Sequence, residues 1–487
     1  MKVFFINPPF KAEFGKFSRE SRSPCITKSG ALYYPLWIIY AAALVEKNGF
    51  DIEFLDAPAA PLDEKLSLEF IAQKCDGVKL FVLDTSTPSI YSDVNFGAKL
   101  KDIYPEAFVL LVGTHPSAVP EETLAISNKI DAVARHEFDY TVLNLAKCLR
   151  DNGELSSVRG LSYVEKGRCI HNPDAGFIDN LDDIPFASEF IKKHLNYKDY
   201  FFAASAYPEI QIFTGRGCPA RCNFCVYPQT MHGHRYRLRS AQNIIAELKF
   251  ISKEFHDVKE IVIEDDTFTA NKNRVIEICR LMIQERLHKR FRWLCNARVN
   301  LDLETMKLMR AAGCRLIIPG IESTNQQILN NIHKGTNVSE IKAYIANAKK
   351  AGLLIHACYM VGNAGETRET MQKTLEDAIS FNTDTAQFFP LIPYPGTEAY
   401  KWAKANGYIN GKYNEYCKED GTLNCVLNLP GLTSQDLVDF CDFARKKFYL
   451  RPLYIWHRIC AGIKDPSDLY RSLKAFGQFK KYILKIK

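Results

Sequence analysis

Short apolar runs alternate with stretches of helical apolar spacing through the first 150 residues of the chain. The runs that predict buried strands span residues 3–6, 52–55, 78–83, 108–112 and 132–134. A helix is predicted over residues 34–47, where Asn48-Gly49 supplies the C-cap. Each strand leads into a polar or Gly/Pro-rich loop. This β-α repetition predicts an open, Rossmann-like parallel sheet that binds ligands at the carboxyl ends of its strands.

A second series of strand–helix units follows a connector that carries a hairpin signal at residues 160–171. The predicted strands span residues 209–213, 260–264, 291–294, 315–318, 354–360 and 385–391. Polar residues follow these strands, where parallel barrels place their chemistry. We expect four regions, namely an α/β domain 1–150, the connector 151–205, a second α/β domain 206–410 and a helical region 411–487.

Composition and charge narrow the class of protein. With 487 residues, 47% hydrophobic and 24% charged, the chain has ample core for two to four globular domains. No apolar run approaches the ~20 residues of a membrane span, and the N-terminal run is too short for a secretory signal. We therefore expect a cytoplasmic protein with reduced cysteines and no nucleic-acid partner. The net charge of +7 is concentrated in residues 441–487, which hold twelve Lys/Arg and three Asp.

Three cysteines carry the most specific chemical signal. Cys218, Cys222 and Cys225 have the spacing Cys-x3-Cys-x2-Cys on a loop that leaves an apolar strand. Three thiolates so placed can hold three irons of a [4Fe–4S] cube and leave the fourth iron open. Zinc is the alternative, but zinc favours paired knuckles with four Cys/His ligands and no second knuckle is near.

The cysteine loop resembles that of the radical S-adenosylmethionine (SAM) superfamily. The resemblance implies a partial (β/α)6 barrel over residues 206–410. It also implies that SAM chelates the open iron through its amino and carboxylate groups. An electron from an external reductant such as flavodoxin or ferredoxin then cleaves SAM to a 5′-deoxyadenosyl radical, which abstracts hydrogen from the substrate.

The same resemblance implies which residues bind SAM. Phe224 matches a position that contacts the adenine, and Glu264, Asp265 and Asp266 end the strand whose carboxylate binds the amino group. The other expected SAM contacts are rim residues and a glycine turn in which Ala364 replaces a proline: Arg298, Glu322, Gly362, Gly365 and Glu366. Helix capping and ordinary rim ion pairs are the alternatives for the charged residues.

The first domain resembles the cobalamin-binding domain that precedes many radical SAM barrels. The resemblance implies that cobalamin lies against two strand-end loops, which contain Thr85, Ser86, Thr87, Gly113, Thr114 and His115. The chain lacks Asp-x-His-x-x-Gly, so no protein histidine is expected on cobalt. A scaffold that has lost cobalamin is the alternative.

A finer resemblance rests on motif order. Pro228-Gln229-Thr230, His234-Arg235-Tyr236-Arg237 and the segment 134–141 resemble the hopanoid-biosynthesis radical SAM family that includes bacteriohopanetetrol cyclitol ether synthase. This implies ring contraction of an amino-sugar head group on a lipid-linked hopanoid. The alternatives are a cobalamin-dependent C-methyltransferase acting on another small molecule and a non-catalytic cobalamin or iron–sulfur sensor. Product mass separates the two enzymes, since only the methyltransferase adds a methyl group.

The basic tail predicts contact with a membrane surface. Phe476, Phe479, Ile483 and Leu484 recur at helical spacing between lysines. Such a helix suits the interface of an anionic leaflet, and it predicts a peripheral location at the inner membrane. The alternative is a closing helix that packs its apolar face on the barrel.

Overall fold

The apolar runs of the first domain form one sheet in the computed structural model, which describes residues 1–409 and 411–464. Its strand order is β4-β1-β5-β6-β7-β8-β9, and the first five strands of this order are parallel. The strands of this half are β1 (Lys2–Asn7), β2 (Phe17–Ser18), β3 (Cys25–Ile26), β4 (Asp51–Asp56), β5 (Val78–Thr85), β6 (Phe108–Gly113), β7 (Ala132–Ala134), β8 (Leu161–Glu165) and β9 (Arg168–His171).

Helices cover both faces of this sheet, which explains its nearly continuous apolar strands. Val3 and Phe5 of β1 face the core under α1 and α6, whereas Phe4 and Ile6 face the core under α3. The predicted hairpin, β8–β9, extends the same sheet by two antiparallel strands. The helices are α1 (Leu36–Lys47), α2 (Glu64–Ala72), α3 (Ile90–Ile103), α4 (Thr114–Ala118), α5 (Pro120–Ala125), α6 (Asp139–Arg150) and α7 (Ala187–His194).

A second, six-stranded parallel sheet has the order β10-β13-β14-β15-β16-β17. It confirms the predicted partial (β/α)6 barrel. A separate two-stranded ribbon, β11–β12, leads into and out of the cysteine loop. The strands are β10 (Glu209–Ile212), β11 (Gly215–Arg216), β12 (Arg237–Leu238), β13 (Glu260–Ile263), β14 (Arg292–Ala297), β15 (Cys314–Glu322), β16 (Leu354–Val361) and β17 (Thr385–Pro390).

The helices of the second half pack around this sheet and continue beyond it. They are α8 (Ala241–Glu254), α9 (Lys272–Gln284), α10 (Leu287–Arg290), α11 (Leu303–Ala311), α12 (Gln326–Asn331), α13 (Val338–Lys350), α14 (Arg368–Phe381), α15 (Glu398–Ala405), α16 (Ser434–Tyr449) and α17 (Pro452–Lys464). None of these or the other described helices is long and apolar enough to cross a bilayer. The lysine-rich part of the predicted tail helix, from residue 465 on, lies outside the described residues.

The barrel stays open between β10 and β17, which do not pair. A segment from the first domain crosses this side and meets residues from the other end of the barrel. Ile26 donates its backbone N–H to Gly421 O at 2.8 Å, and a small core forms from Phe10, Phe17, Cys25, Ile26 and Cys417. Residues 10–26 and 417–423 thus form a cover that we call the side flap.

Candidate functional site

The three cysteines lie on a tight loop directly after β11. Cys218 and Cys222 are each 8% exposed, and Cys225 is half-buried. Gly217 precedes them with φ +89°, and a Cβ there would lie 2.3 Å from Arg235 O. The position therefore requires glycine, because a side chain would collide with the strand that returns from the loop.

Two side chains that follow the loop hold its backbone in shape. Gln229 Nε2 donates to the carbonyl oxygens of Asn223 (3.1 Å) and Cys225 (2.9 Å). His234 Nδ1 lies 3.2 Å from Cys218 O and 2.9 Å from Ala220 O. The motifs Pro-Gln-Thr and Gly-His-Arg thus support the cysteine loop. Sequence analysis used these motifs only as a family resemblance. Their structural role could not be predicted, because their partners are backbone atoms.

The donor set fits a [4Fe–4S] cluster better than a single ion. Among the described residues, the three sulfurs are not gathered within 4.8 Å of one another, as the ligands of one zinc ion would be. A wider triangle suits three corners of a cube. Burial, followed by the nearby Asp266 carboxylate, raises the pKa of Cys218 to about 11. A bound cationic metal offsets that cost, because it stabilises the thiolate.

The three carboxylates at the end of β13 have different surroundings. Asp265 is fully buried, and its oxygens accept from Thr214 N (2.6 Å), Thr214 Oγ1 (2.6 Å) and Tyr236 Oη (2.8 Å). Its carboxylate therefore holds the joint between β10 and β11 and is occupied by protein donors. This differs from the expectation that Asp265 binds the SAM amino group.

Glu264 and Asp266 have longer hydrogen-bond distances to their side-chain partners than Asp265 has. Glu264 Oε2 lies 3.4 Å from Arg22 Nη1 and 3.2 Å from Asn296 Nδ2. Asp266 Oδ2 lies 3.0 Å from His232 Nδ1, and the His232 Nε2 atom is buried with no partner in the described structure. Asp266 lies beside the cysteine loop, since its carboxylate raises the pKa of the Cys218 thiol.

A buried ion pair lies at the carboxyl end of β15. Glu322 has φ +64°, and its Oε1 accepts from Lys334 Nζ at 2.8 Å. Gly320 makes room for the pair, because a Cβ there would lie 2.5 Å from Glu322 Oε1. Arg298 donates to Lys334 O at 2.6 Å. The structure brings the predicted Glu322 and Arg298 together and adds Lys334, which sequence reasoning missed because it lies in a polar loop without a motif.

The predicted glycine turn is tied to the cysteine loop through one asparagine. Asn331 Nδ2 donates to Ala364 O at 2.7 Å, and Asn331 O accepts from Asn223 Nδ2 at 3.0 Å. Gly362 and Gly365 have φ +88° and +83°, which fits the expected turn. The Glu366 carboxylate accepts from Asn363 Nδ2 of the turn (3.1 Å) and from Thr370 Oγ1 of α14 (2.7 Å). Phe224 is half-buried and packs against the main core.

The strand-end loops of the first sheet face the residues that follow the cysteine loop. One cavity is lined by Thr85, Thr87, Gly113 and Thr114 from the sheet edge and by Val226, Tyr227 and Met231 from the other domain. Gly113 has φ +116°, and a Cβ there would lie 2.3 Å from Thr85 O. The cavity itself is small, with a volume of about 20 Å³. The feature that suits a flat cofactor such as cobalamin is the sheet edge, because its glycine backbone and short hydroxyl side chains allow close approach.

The remaining predicted cobalamin residues are buried behind this edge. Ser86 Oγ lies 2.8 Å from Ser89 Oγ, and His115 Nδ1 lies 3.1 Å from Thr87 Oγ1. Burial lowers the pKa of His115 to about 3, so this imidazole is neutral at physiological pH. Asp84 Oδ2 and His115 Nε2 are buried atoms for which the described residues supply no partner.

A buried charge network fixes the two domains to each other. Arg216 of β11 donates to Glu137 Oε1 and Asp139 Oδ2, each at 2.7 Å. Arg237 of β12 donates to Glu137 Oε2 at 2.5 Å. The ribbon that frames the cysteine loop is therefore anchored to the first domain, which sets the distance between the two candidate cofactor sites.

Two protein-family models match the chain. The radical SAM superfamily matches residues 212–378, and the B12 binding domain matches residues 22–146. An uncharacterized methyltransferase of Pyrococcus horikoshii is 34% identical over 459 residues, which are 93% of each chain.

Two further relatives are more distant. The anaerobic magnesium-protoporphyrin IX monomethyl ester cyclase of Cereibacter sphaeroides is 26% identical over 428 residues, 86% of this chain and 67% of the relative. The cytidylyl-2-hydroxyethylphosphonate methyltransferase of Streptomyces wedmorensis is 28% identical over 458 residues, 82% of this chain and 83% of the relative.

Among solved structures, the fold is similar to the radical SAM methyltransferase TsrM of Kitasatospora setae with tryptophan and a SAM analogue bound. The TM-score is 0.66 at 17% identity, covering 90% of this chain and 88% of TsrM. The similarity to TsrM with cobalamin and a [4Fe–4S] cluster bound has a TM-score of 0.64 at 17% identity, with 87% and 82% covered. At this identity the likeness concerns the fold.

Proposed function

This chain belongs to the radical SAM superfamily and carries a B12-binding domain, and on that premise we propose that it is a cobalamin-dependent radical SAM methyltransferase. Its cofactors are a [4Fe–4S] cluster, SAM and cobalamin. The proposed reaction adds a methyl group to a carbon atom of a small-molecule substrate. Two of the relatives described above are named as methyltransferases, which supports this alternative over the hopanoid ring contraction.

The observation that carries the proposal is the cavity shared by the two domains. Thr85 and Gly113 line it from the first sheet, and Tyr227 and Met231 line it from the segment after the third cysteine. A methyl carrier and a radical generator must reach the same substrate carbon, so their sites must face each other. The lining that the two domains share supports this arrangement.

We assign the cluster to Cys218, Cys222 and Cys225. The Lys334–Glu322 pair and Arg298 lie beside the loop and are suited to the polar methionyl end of SAM, by charge-assisted hydrogen bonds. Asp265 takes a structural role in this proposal.

Aromatic side chains exclude water from the region between the two cofactor sites. When bound, the cofactors supply hydrogen-atom abstraction and a transferable methyl group. Trp37 packs against His232 in a tilted arrangement with ring centroids 3.7 Å apart, and Tyr227 stacks on the same imidazole at 5.8 Å. Tyr227 Oη also donates to Glu20 O at 2.6 Å. This aromatic wall excludes water from reactive intermediates between the domains.

The hopanoid assignment predicted from motif order is not supported by the relatives. The motifs that suggested it hold the cysteine loop and the domain interface, as Gln229, His234 and Arg237 show. Because these side chains contact protein atoms, the motifs no longer argue for a lipid-linked substrate.

Anaerobic reconstitution tests the proposed function. The protein, loaded with iron, sulfide and cobalamin, is reduced by flavodoxin or dithionite in the presence of SAM with a deuterated methyl group and an anaerobic cell extract. We expect 5′-deoxyadenosine and an extract compound that gains one deuterated methyl. A ring contraction would instead change no methyl count, and would reject the methyltransferase.

Cysteine variants identify the cluster ligands. Replacing Cys218, Cys222 and Cys225 together by Ala should abolish both iron uptake and 5′-deoxyadenosine formation. The matched control replaces Cys75, Cys169 and Cys460, which are outside the loop and partly exposed, and should keep both. Continued 5′-deoxyadenosine formation by the first variant would reject the assignment.

A further inference from the structure

A large cavity opens at the amino ends of the barrel strands, opposite the cysteine loop. Its volume is about 2020 Å³. It is lined by residues just before β10, β13 and β14, such as Tyr207, Lys259 and Phe291, and by Gln387 and Phe389 of β17. The side flap forms another wall through Cys25 and Ile26. We call this cavity the lower mouth.

Positive charge is concentrated in the lower mouth. Of the residues that the structure describes, three aspartates line it, Asp199, Asp257 and Asp442, and no glutamate does. The nine basic side chains that face them are Lys16, Lys28, Lys198, Lys259, Lys289, Arg290, Arg292, Lys418 and Arg445. The whole chain is far closer to balance, with 63 Lys and Arg against 56 Asp and Glu. A mouth with six excess positive charges attracts anions and raises their local concentration.

Several of these cations remain available to a ligand. Asp257 is paired with Lys198 at 2.7 Å, and Asp442 is paired with Arg445. The ammonium groups of Lys259, Lys289 and Lys418 are exposed, and the described residues offer them no hydrogen-bond or ion-pair partner. Exposed ammonium groups around one cavity are suited to oxyanions such as phosphate or carboxylate.

The lower mouth extends along β17 as far as Pro390, the residue at the carboxyl end of that strand. Tyr33 packs against Phe202 with ring centroids 5.2 Å apart, next to Phe201 and Ala203 of the wall. Burial, followed by the Glu264 carboxylate, raises the pKa of Tyr33. Glu264 follows β13 directly, so Tyr33 lies between the wall residues and the carboxyl end of that strand.

We propose that the lower mouth is the substrate entrance, and that the substrate is a small molecule with two or more oxyanion groups. The anionic groups stay near Lys259, Lys289 and Lys418 while the carbon to be modified reaches up past Tyr33. This inference deepens the proposed function and rests on it for the identity of the reaction.

Anion binding tests the entrance directly. Inorganic pyrophosphate and citrate are titrated calorimetrically into the cluster-loaded protein with SAM present, at low ionic strength. Replacing Lys259, Lys289 and Lys418 together by Gln should weaken binding about tenfold, since each exposed charge contributes a modest amount. The corresponding triple Arg variant should retain binding. A control with Lys65, Lys166 and Lys342 changed to Gln loses the same charge elsewhere and should bind as the wild type does.

The outcomes separate this inference from the proposed function. No binding of either anion by the wild type, or equal binding by the Gln variant and the wild type, overturns the entrance. A methylated extract compound without oxyanion groups also overturns it and leaves the methyltransferase intact. If no methylated compound appears, the proposed function is rejected, and the anion titrations still test whether the lower mouth binds oxyanions. Iron content and thermal midpoint establish that each variant is folded.

Discussion

Gln229 illustrates how one side chain can shape a cofactor loop without touching the cofactor. Its amide donates to two carbonyl oxygens of the cysteine loop and accepts from Glu398 N at 2.9 Å. Asn223 O also accepts from Ala399 N at 2.9 Å, but each loop carbonyl would lose a donor without Gln229, and losing a hydrogen bond in a partly buried place costs free energy. The residue thus links the cysteine loop to the start of α15.

Replacing Gln229 by Leu should weaken the hold on iron. The variant loses both donors to the loop, at a cost of about 1–3 kcal/mol. We expect faster loss of the iron–sulfur absorbance when a chelator is added to the reconstituted protein. Leu at Gln372, an exposed residue of α14, is the control. Equal rates of iron loss in both variants would contradict the role of Gln229.

Asp84 is a buried acid at the edge of the first sheet. It is 2% exposed, and burial raises its pKa to about 7 against the pull of Arg19. Because the folded pKa is raised, Asp84 favours folding most at low pH. That contribution is lost as the pH rises from the unfolded value near 4 toward about 7.

Replacing Asp84 by Asn should therefore change the pH dependence of stability in one direction. The thermal midpoint of the variant, relative to the wild type, should rise as the pH increases from about 4 to about 7, by the equivalent of about 3 kcal/mol. Asn at the exposed Asp76 is the control and should give a flat difference. A constant difference for the Asp84 variant would mean that this carboxyl titrates normally.

At the scale of elements, the β11–β12 ribbon determines how the two domains meet. Arg216 and Arg237 extend from it into the first domain, where Glu137 accepts from both. Arg216 also lies over the Trp37 ring at 5.0 Å, so its charge is enclosed by aromatic groups. Removing one partner of such a network leaves buried cations uncompensated.

Replacing Glu137 by Gln should cost about 3–5 kcal/mol and lower the thermal midpoint. Cobalamin uptake, measured by absorbance, should fall as well, because the edge of the first sheet is no longer held in a fixed position relative to the cysteine loop. Gln at Glu69, whose exposed ion pair with Lys65 spans 3.9 Å, is the control. A midpoint unchanged by the Glu137 substitution would show that the arginines find water or other partners.

The sequence predicted the strands well because both sheets are buried on two faces. Runs such as residues 78–83 and 354–360 correspond to β5 (Val78–Thr85) and β16 (Leu354–Val361), and such continuous apolar runs need no alternation to be recognised. The β8–β9 hairpin was recognised from its turn, but its pairing with β7 depends on distant residues. The limits of the four expected domains stay a prediction.

Individual site residues were harder to predict than elements. The cysteine loop follows from spacing alone, whereas Asp265 and Asp266 are adjacent in sequence and have different partners. Only the folded joint between β10 and β11 distinguishes them. Lys334 could not be predicted either, because its partner Glu322 lies twelve residues away across a helix and a loop.

At the scale of the whole molecule, an apolar surface extends along the last described helix. Leu453, Trp456 and Ile463 of α17 are 58%, 62% and 74% exposed. The chain that follows carries the lysines of the predicted interfacial helix, outside the described residues. Exposed apolar side chains next to a basic segment are typical of peripheral membrane contact.

Neutralising Lys480, Lys481, Lys485 and Lys487 with Gln should reduce sedimentation with anionic liposomes. Each basic group near such a surface contributes about 1 kcal/mol. The control changes Lys65, Lys79, Lys166 and Lys342, which carry the same charge on other exposed surfaces. Unchanged sedimentation of the first variant would remove the membrane role from this segment.

The side flap has a consequence for the order in which the molecule is built. Its contact between Cys417 Sγ and Pro24 O joins residues 393 positions apart. During synthesis, the first sheet can assemble as soon as its own strands emerge, but the flap waits for its partner until residue 417 has left the ribosome. The open side of the barrel between β10 and β17 therefore stays uncovered from the emergence of β17 until this late segment follows it.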